Sequence, residues 1–338
     1  MTTTMVRAAG LTNYLEVARH LGLSPQQQLR DAGLSLSILD NPEQRIPTSA
    51  AVTLLENSAR ASNCQNFGLR MAESRQLSDF GAISLLLTHQ ATLRDALDTI
   101  ARYRHLINES LAIYVEEHGK LVIMREEILS DPPVAMRQAL ELAIGVLFRL
   151  CSALLGAHWR PLSVNFTHDA PEDQRVHRRL FGCKLEFGSE FNGIVCLAAD
   201  LDKPNPLADP AMARHAQRFV ETLPGASEQS TLNEVRKAIY LLLPMGRASI
   251  EQIALSLGLN VRTLQRRLED NDVTFSDLIN DVRRELVVRY MENPRYTLGQ
   301  VADLLGYSVA SSFTRWFASQ FGTSPAAWRK ERQGKQER

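Results

Sequence analysis

The chain has 338 residues, with 38 lysines and arginines balanced by 38 aspartates and glutamates, so its formal charge is zero. Apolar residues make up 44% and charged residues 22%, proportions that exclude a disordered tail, a collagen-like chain or a uniformly basic coat protein. At ~150 residues per domain, the length accommodates two cores.

The N-terminal stretch MTTTMVRAAGLTNYLEVARHLG has no apolar signal-peptide core and breaks into an amphipathic pattern. The most apolar run, Ala139 to Leu155, contains Glu141 and Arg149 and is too short for a bilayer, so a cytoplasmic protein without membrane association is expected. Apolar spacing predicts helices near Leu11–His20, Pro47–Ala61, Thr92–Ile107 and Pro133–Leu155. LAIYVEEHGKLVIMREEI alternates around His118-Gly119, which predicts a β-hairpin from Leu111 to Glu126. LSVNFTH, CKLEFG and GIVCLAA read as further strands, with a helix at Glu172–Phe181, so residues 1–203 are expected to form an α+β domain. The cysteines Cys64, Cys151, Cys183 and Cys196 form no CxxC pair and read as reduced core thiols; no metal or cofactor site is expected.

Residues 204–230 are rich in proline and read as a linker. It encloses one amphipathic helix with Met212, Ala216, Phe219 and Leu223 on one face. Dividing the charge at residue 230 separates two opposed halves. Residues 1–230 carry 22 basic against 26 acidic side chains, a net of −4, and residues 231–338 carry 16 against 12, a net of +4.

Residues 231–338 read as consecutive helices built on an internal repeat. IEQIALSLGLN at Ile250–Asn260 matches LGQVADLLGYS at Leu298–Ser308, pairing Ile253 with Val301, Ala254 with Ala302, Leu257 with Leu305 and Gly258 with Gly306. Beyond the turn Leu264 pairs with Phe313, Arg266 with Arg315 and Leu268 with Phe317. A small alanine permits close helix crossing, a glycine makes the turn, and apolar positions 253, 257, 264 and 268 lock the two helices together. That is the chemistry of a helix-turn-helix, predicted at 250–269 and again at 298–320. The second helix then presents Arg262, Thr263, Gln265, Arg266 and Glu269 to solvent, residue types that read base edges in a major groove. An all-α bundle duplicated without DNA contact is the plainer alternative, and two copies with basic second helices weigh against it. The connecting helix, 275–293, spans roughly 25–28 Å, enough to place two recognition helices in grooves that recur every ~34 Å.

The segments TLNEVRKAIYLLLPMG, SIEQIALSLGLNVRTLQRRLEDNDVTFSDLINDVRRELVVRYM and YTLGQVADLLGYSVASSFTRWFASQFGTSPAAWRK strongly resemble the AraC/XylS family of bacterial transcription regulators. Gly306, Tyr307, Phe313, Arg315, Phe317, Gly322, Pro325 and Arg329 carry the most specific part of the match. RIPTSAAVTLLENSA, FGLRMAE and DFGAISLLLTHQATLRDALDTIARYRHLI are similar to the arabinose-binding type of N-terminal domain, a more diffuse match. The resemblance implies a homodimeric activator that binds double-stranded promoter DNA, meets RNA polymerase and responds to a small effector through its first domain. It also implies DNA contacts from Arg262, Gln265 and Arg266 in the first unit, to which the outward face adds Thr263. In the second unit they come from Ala310, Ser311, Thr314 and Arg315, with Ser312 beside them at the helix start. Ala310-Ser311-Ser312 departs from members with long polar residues there, so phosphate contacts are expected to dominate under the second unit.

An effector cavity, mainly apolar with few polar anchors, is expected between the sheet and the helices Thr92–Ile107 and Pro133–Leu155, with Tyr103 and Arg104 as candidate contacts. His105 is a further candidate, though a core-edge histidine is the commoner case. Two other readings remain for the first domain. One is a protein-interaction module without a metabolite; the other is an enzyme, which a methyl-accepting zinc cysteine cluster would signal and these scattered cysteines do not supply. Asp79-Phe80-Gly81 spells a kinase triplet without the accompanying phosphate loop, and no catalytic residue is expected.

Overall fold

In the computed structural model, which describes residues 4–129, 135–223 and 231–336, the chain divides into two units, Met1–Glu228 and Gln229–Arg338. The first is α+β and the second all helical.

Strand formation in the first unit follows the alternation of its sequence. A short antiparallel pair, β1 (Met5–Arg7) and β2 (Arg45–Pro47), closes the N-terminal helical region. The main sheet contains β3 (Leu111–His118), β4 (Leu121–Ile128), β5 (Ser163–Phe166), β6 (Lys184–Phe187) and β7 (Gly193–Leu197), in the order β3-β4-β7-β5-β6. The hairpin β3–β4 turns at Gly119, whose φ of 60° suits a residue without a Cβ. Its second strand runs two residues past the expected end at Glu126. Only β5 and β6 are parallel, and the helix Arg175–Phe181 makes the crossover between them.

The helix Arg137–Leu155 organises this unit. Its first turns contribute Ala139, Leu140 and Leu142 to one apolar cluster with the helices Tyr14–His20, Pro25–Asp31, Thr48–Ala61 and Phe67–Glu73. Its later turns contribute Ile144, Leu147, Phe148 and Cys151 to a second cluster with the sheet and the helix Leu93–Ile107. Although long and apolar enough by composition to cross a membrane, it has two thirds of its apolar window buried inside the unit. The expected start of this helix at Pro133 lies outside the described residues. Burial holds Cys64, Cys151 and Cys196 as free core thiols, while Cys183 is half-exposed.

Several short helices carried too little periodicity to be read beforehand, among them Pro25–Asp31, Phe67–Glu73 and Ala82–Thr88. The expected helix Leu11–His20 is interrupted: Asn13 adopts φ 69° between a 3-10 turn and the helix Tyr14–His20. The amphipathic helix expected within a linker, Pro210–Glu221, instead packs on the first unit. Ala216 and Val220 are buried, whereas Met212 and Phe219 stay exposed, so the buried face is rotated from the one expected. Residues 204–223 therefore belong to the packing of the first unit. The remainder of the expected linker, 224–230, lies outside the described residues.

In the second unit the repeat becomes a structural one. The first copy pairs the helices Ile250–Ser256 and Val261–Glu269, and the second pairs Leu298–Leu304 and Ala310–Phe321. Ile253 and Val301, Ala254 and Ala302, Leu264 and Phe313, and Leu268 and Phe317 are all buried at equivalent places. Leu257 is only half-buried while its counterpart Leu305 is fully enclosed, so the lock expected at 257 is the looser one. Gly258 and Gly306 take φ of 66° and 72°, the left-handed turn that a Cβ would strain. Capping boxes start both first helices, Ser249 with Gln252 and Thr297 with Gln300. A third box, Thr274 with Asp277, starts the connecting helix Phe275–Glu292, whose 18 residues span about 27 Å.

Candidate nucleic-acid interface and effector cavity

The second helix of each copy is fixed from behind by its two apolar residues, which leaves its other face in solvent. On Val261–Glu269, Asn260 caps the helix by accepting from the Thr263 amide at 2.8 Å, and Leu264 and Leu268 anchor it. Arg262, Gln265 and Arg266 are exposed and Thr263 is half-buried. On Ala310–Phe321, Ala310, Ser311, Thr314 and Arg315 are exposed and Ser312 is half-buried. Thr314 donates to the Ala310 carbonyl at 3.0 Å, so its hydroxyl is engaged by its own helix. Arg266 and Arg315 occupy equivalent places, each two residues after the first buried anchor.

Arginine partners separate framework from interface. Arg283 donates to the Leu305 carbonyl at 3.0 Å and lies over the Tyr307 ring at 4.3 Å, tying the connecting helix to the second copy. Arg329 donates to the carbonyls of Met291 and Tyr296 at 3.1 and 2.7 Å. Arg236 pairs with Glu285, and Arg332 with Glu292. By contrast, Arg262, Arg266 and Arg315 make no ion pair or side-chain hydrogen bond among the described residues. Arg267 shares that condition beside the recognition face, and the sequence reading had passed over it. Its signal was available, since it is the one arginine in RTLQRR off both the anchored and the outward stripe.

The first unit holds a cavity of about 150 Å³ between the helices Thr48–Ala61 and Arg137–Leu155 and the hairpin β3–β4. It lies in the region expected from the sequence, but neither Tyr103 nor Arg104 lines it. Tyr103 is buried with its hydroxyl 3.4 Å from the Glu221 carboxylate, and Arg104 donates to the Ala101 carbonyl of its own helix. His105 is likewise buried and away from the cavity. From that helix Ile100 and Ile107 form the wall instead, on the stripe facing inward. Position on the helix was legible in the periodicity; polar character was the wrong guide to what faces an apolar space.

Most of the wall is aliphatic, and its polar groups are mainly occupied. Arg7 donates from Nε to the Glu43 carboxylate at 2.9 Å, and Arg75 donates to the carbonyls of Ala9, at 2.6 Å, and Gly10. Burial lowers the Arg75 guanidinium to about 10, with Asp79 partly restoring it. Asp79 also accepts from the Gln76 amide at 2.9 Å, so the Asp79-Phe80-Gly81 triplet is a turn cap in this fold. Three buried wall atoms have no partner among the described residues, Thr48 Oγ1, Arg75 Nε and Glu126 Oε2, and Glu126 is 4% exposed. Burial, helped by the neighbouring Glu127 charge, pushes its carboxyl up to about 8.

Elsewhere in this unit Glu141 shows the opposite treatment. It is fully buried, and its Oε1 lies 3.1 Å from His168 Nε2, 3.2 Å from His177 Nε2 and 3.3 Å from Arg137 Nε. Burial alone would raise this carboxyl, but hydrogen bonds and charge from the two histidines hold it at about 2.

Comparison with known proteins supplies the context. Residues 22–205 match the arabinose-binding domain of AraC transcription regulators, N-terminal, and residues 253–331 match a helix-turn-helix domain. The HTH-type transcriptional regulator VirS of Mycobacterium tuberculosis is 30% identical over 327 residues, 96% of either chain. The ornithine utilization regulator of Pseudomonas aeruginosa is 23% identical over 97% of either chain. Among solved structures, the transcriptional regulator CdpR of Pseudomonas aeruginosa is 20% identical, with a TM-score of 0.44 over 90% of this chain and 97% of that one.

Proposed function

Because this chain belongs to the AraC family of transcription regulators and carries the arabinose-binding type of N-terminal domain, we propose that it is a homodimeric activator working in the cytoplasm. It binds operator DNA through Val261–Glu269 and Ala310–Phe321, meets RNA polymerase there, and is tuned by a small effector held in the first unit. No enzymatic step is part of this reading.

One observation carries the DNA assignment: Arg262, Arg266 and Arg315 are exposed and have no ion pair or side-chain hydrogen bond among the described residues, in a unit whose other helices tie arginines down. Arginines kept free on an anchored helix are available for guanine edges or phosphates. Arg262, Gln265 and Arg266 are long and share the outer half of one helix, so base reading concentrates under the first copy. Ala310, Ser311 and Ser312 are short, and Thr314 is engaged by its helix, so the second copy supplies Arg315, phosphate contacts and register. A base-substitution binding profile tests this. Arg266→Ala should relax specificity at about one base pair by roughly 1–3 kcal/mol. A profile that merely scales down uniformly would reassign Arg266 to phosphate.

Dimerisation is assigned to the first unit. Met212 and Phe219 on Pro210–Glu221, with Leu85 on the helix Ala82–Thr88 packed against it, leave large apolar side chains in solvent. The cavity favours a small-molecule effector over a purely protein-binding first domain, because a flat interaction module has no use for a concave apolar space.

A further inference from the structure

Glu126 breaks the rule that its own strand obeys. In the register of β3 with β4, Leu111 stands opposite Ile128, Ile113 opposite Glu126 and Val115 opposite Met124. Directly opposed residues share a face, so Glu126 occupies a core position on a surface otherwise made of Leu111, Ile113, Val115, Met124 and Ile128. Its neighbour Glu127 points the other way, where it accepts from Asn192 Nδ2 at 2.8 Å. An acid enclosed among aliphatic side chains is costly unless something pairs with it.

No cation of the protein does so among the described residues. The cationic groups that border the same space are committed elsewhere: Arg7 to Glu43, Arg75 to the carbonyls of Ala9 and Gly10, and Arg149, exposed at the rim, to the Arg75 carbonyl at 3.1 Å. Asp79, the other acid of the wall, is held by the Gln76 amide. From the helix Arg137–Leu155 the titratable group facing Glu126 is Cys151, a buried thiol that burial keeps protonated. The other buried polar atoms of the wall without a partner among the described residues are Thr48 Oγ1, an uncharged group, and Arg75 Nε, whose guanidinium is held by the Ala9 and Gly10 carbonyls through its other two nitrogens. A cavity of about 150 Å³ with aliphatic walls accommodates a single six-membered ring.

From this placement we propose that the cavity binds a small hydrophobic amine, a ring-sized or branched apolar body whose ammonium group docks on Glu126. The inference rests on the effector reading of the first unit and names its ligand class. As the ammonium arrives, the Glu126 carboxyl gives its proton to solvent. A carboxylate–ammonium pair is left in the cavity, and close to one proton is released per ligand at neutral pH.

The test uses the full-length protein and a near-isosteric series: benzylamine, benzyl alcohol, toluene and benzoate, followed by calorimetry. Benzylamine should bind roughly tenfold or more tightly than toluene, the margin expected of a charge-assisted hydrogen bond. Proton uptake by the buffer at pH 7 should accompany its binding and no other. Glu126→Gln should bring benzylamine and toluene within about threefold of each other and abolish the proton release, a margin below the roughly tenfold worth of the lost charge pair. Val146→Phe, which fills the wall opposite, should abolish binding of every probe and identifies the cavity as the place. If toluene, benzyl alcohol or benzoate binds as well as benzylamine, or if Glu126→Gln leaves the ranking unchanged, the amine assignment falls while the cavity remains the effector site. If no probe binds, or Val146→Phe changes nothing, the amine assignment falls together with the effector reading.

Discussion

Two buried glutamates in one domain are given opposite charge states, and the difference lies in their immediate neighbours. Glu141 has two histidines and an arginine within 3.3 Å, whereas Glu126 faces aliphatic side chains. Their consequences for stability have opposite sign. Glu141, held at about 2 in the folded state against 4.5 when unfolded, stabilises the fold above pH 4.5, and that contribution disappears as pH falls toward 2. Glu126, raised to about 8, favours the folded protein below 4.5, and that advantage drains away as pH rises through 8. Glu141→Gln should therefore destabilise by roughly 1–3 kcal/mol near neutrality, since it weakens the buried acceptor shared by His177, His168 and Arg137. Glu126→Gln should raise the melting temperature of the ligand-free protein at pH 8, with a smaller gain at pH 5. Thermal unfolding across pH 4–9 checks both, and an unchanged or lowered melting temperature for Glu126→Gln at pH 8 would contradict its assignment. A residue that weakens the empty fold yet lines the cavity proposed for the effector fits the usual trade between stability and function.

Elements differ in how openly the sequence declares them. The helix-turn-helix copies were legible because the same chemistry occurs twice: a capping serine or threonine, an alanine at the crossing, a turn glycine, and two apolar anchors on the second helix. The hairpin β3–β4 was legible from alternation and one glycine. Seven-residue helices such as Pro25–Asp31 and Phe67–Glu73 span barely two turns, too short for an apolar stripe to repeat, and tertiary packing decides them. The expected face of Pro210–Glu221 is half right: Ala216 is buried as expected, but Val220 takes the inward place beside it and the larger Met212 and Phe219 stay exposed. The paired turns offer a direct comparison. A Cβ at Gly258 would meet no atom within 4 Å, whereas one at Gly306 would lie 3.0 Å from Leu243 Cδ1. Gly258→Ala should cost about 1 kcal/mol, the strain of a left-handed alanine. Gly306→Ala should cost more, and also weaken DNA binding by tilting the helix that carries Arg315. Denaturant unfolding of the two variants gives the ranking, and equal costs would show that Leu243 yields freely.

At the scale of the whole molecule, the neutral total conceals an acidic first half and a basic second half. The basic half carries the arginines without internal partners among the described residues, so its affinity for DNA should fall steeply with salt, and the acidic half should add no phosphate contacts. With two candidate recognition helices in each chain, the proposed dimer would present four to a repeated operator. The second protomer then binds at an effective concentration set by its tether to the first, which multiplies affinity by ~10²–10⁴ without any new base contact. That gain depends on the surface that joins the protomers. Phe219 is 53% exposed on a helix anchored along its adjoining face by Ala216 and Val220, so its replacement should leave the fold intact. Phe219→Asp places a charge in the middle of that apolar surface and should convert the dimer to a monomer at micromolar concentration in sedimentation velocity. Affinity for a single half-site should stay the same, because every recognition residue is untouched, while affinity for the complete operator should drop by about a hundredfold. Unchanged sedimentation would move the dimer contact elsewhere on the first unit, and an equal loss on half-site and full operator would mean that the substitution acts through the fold instead.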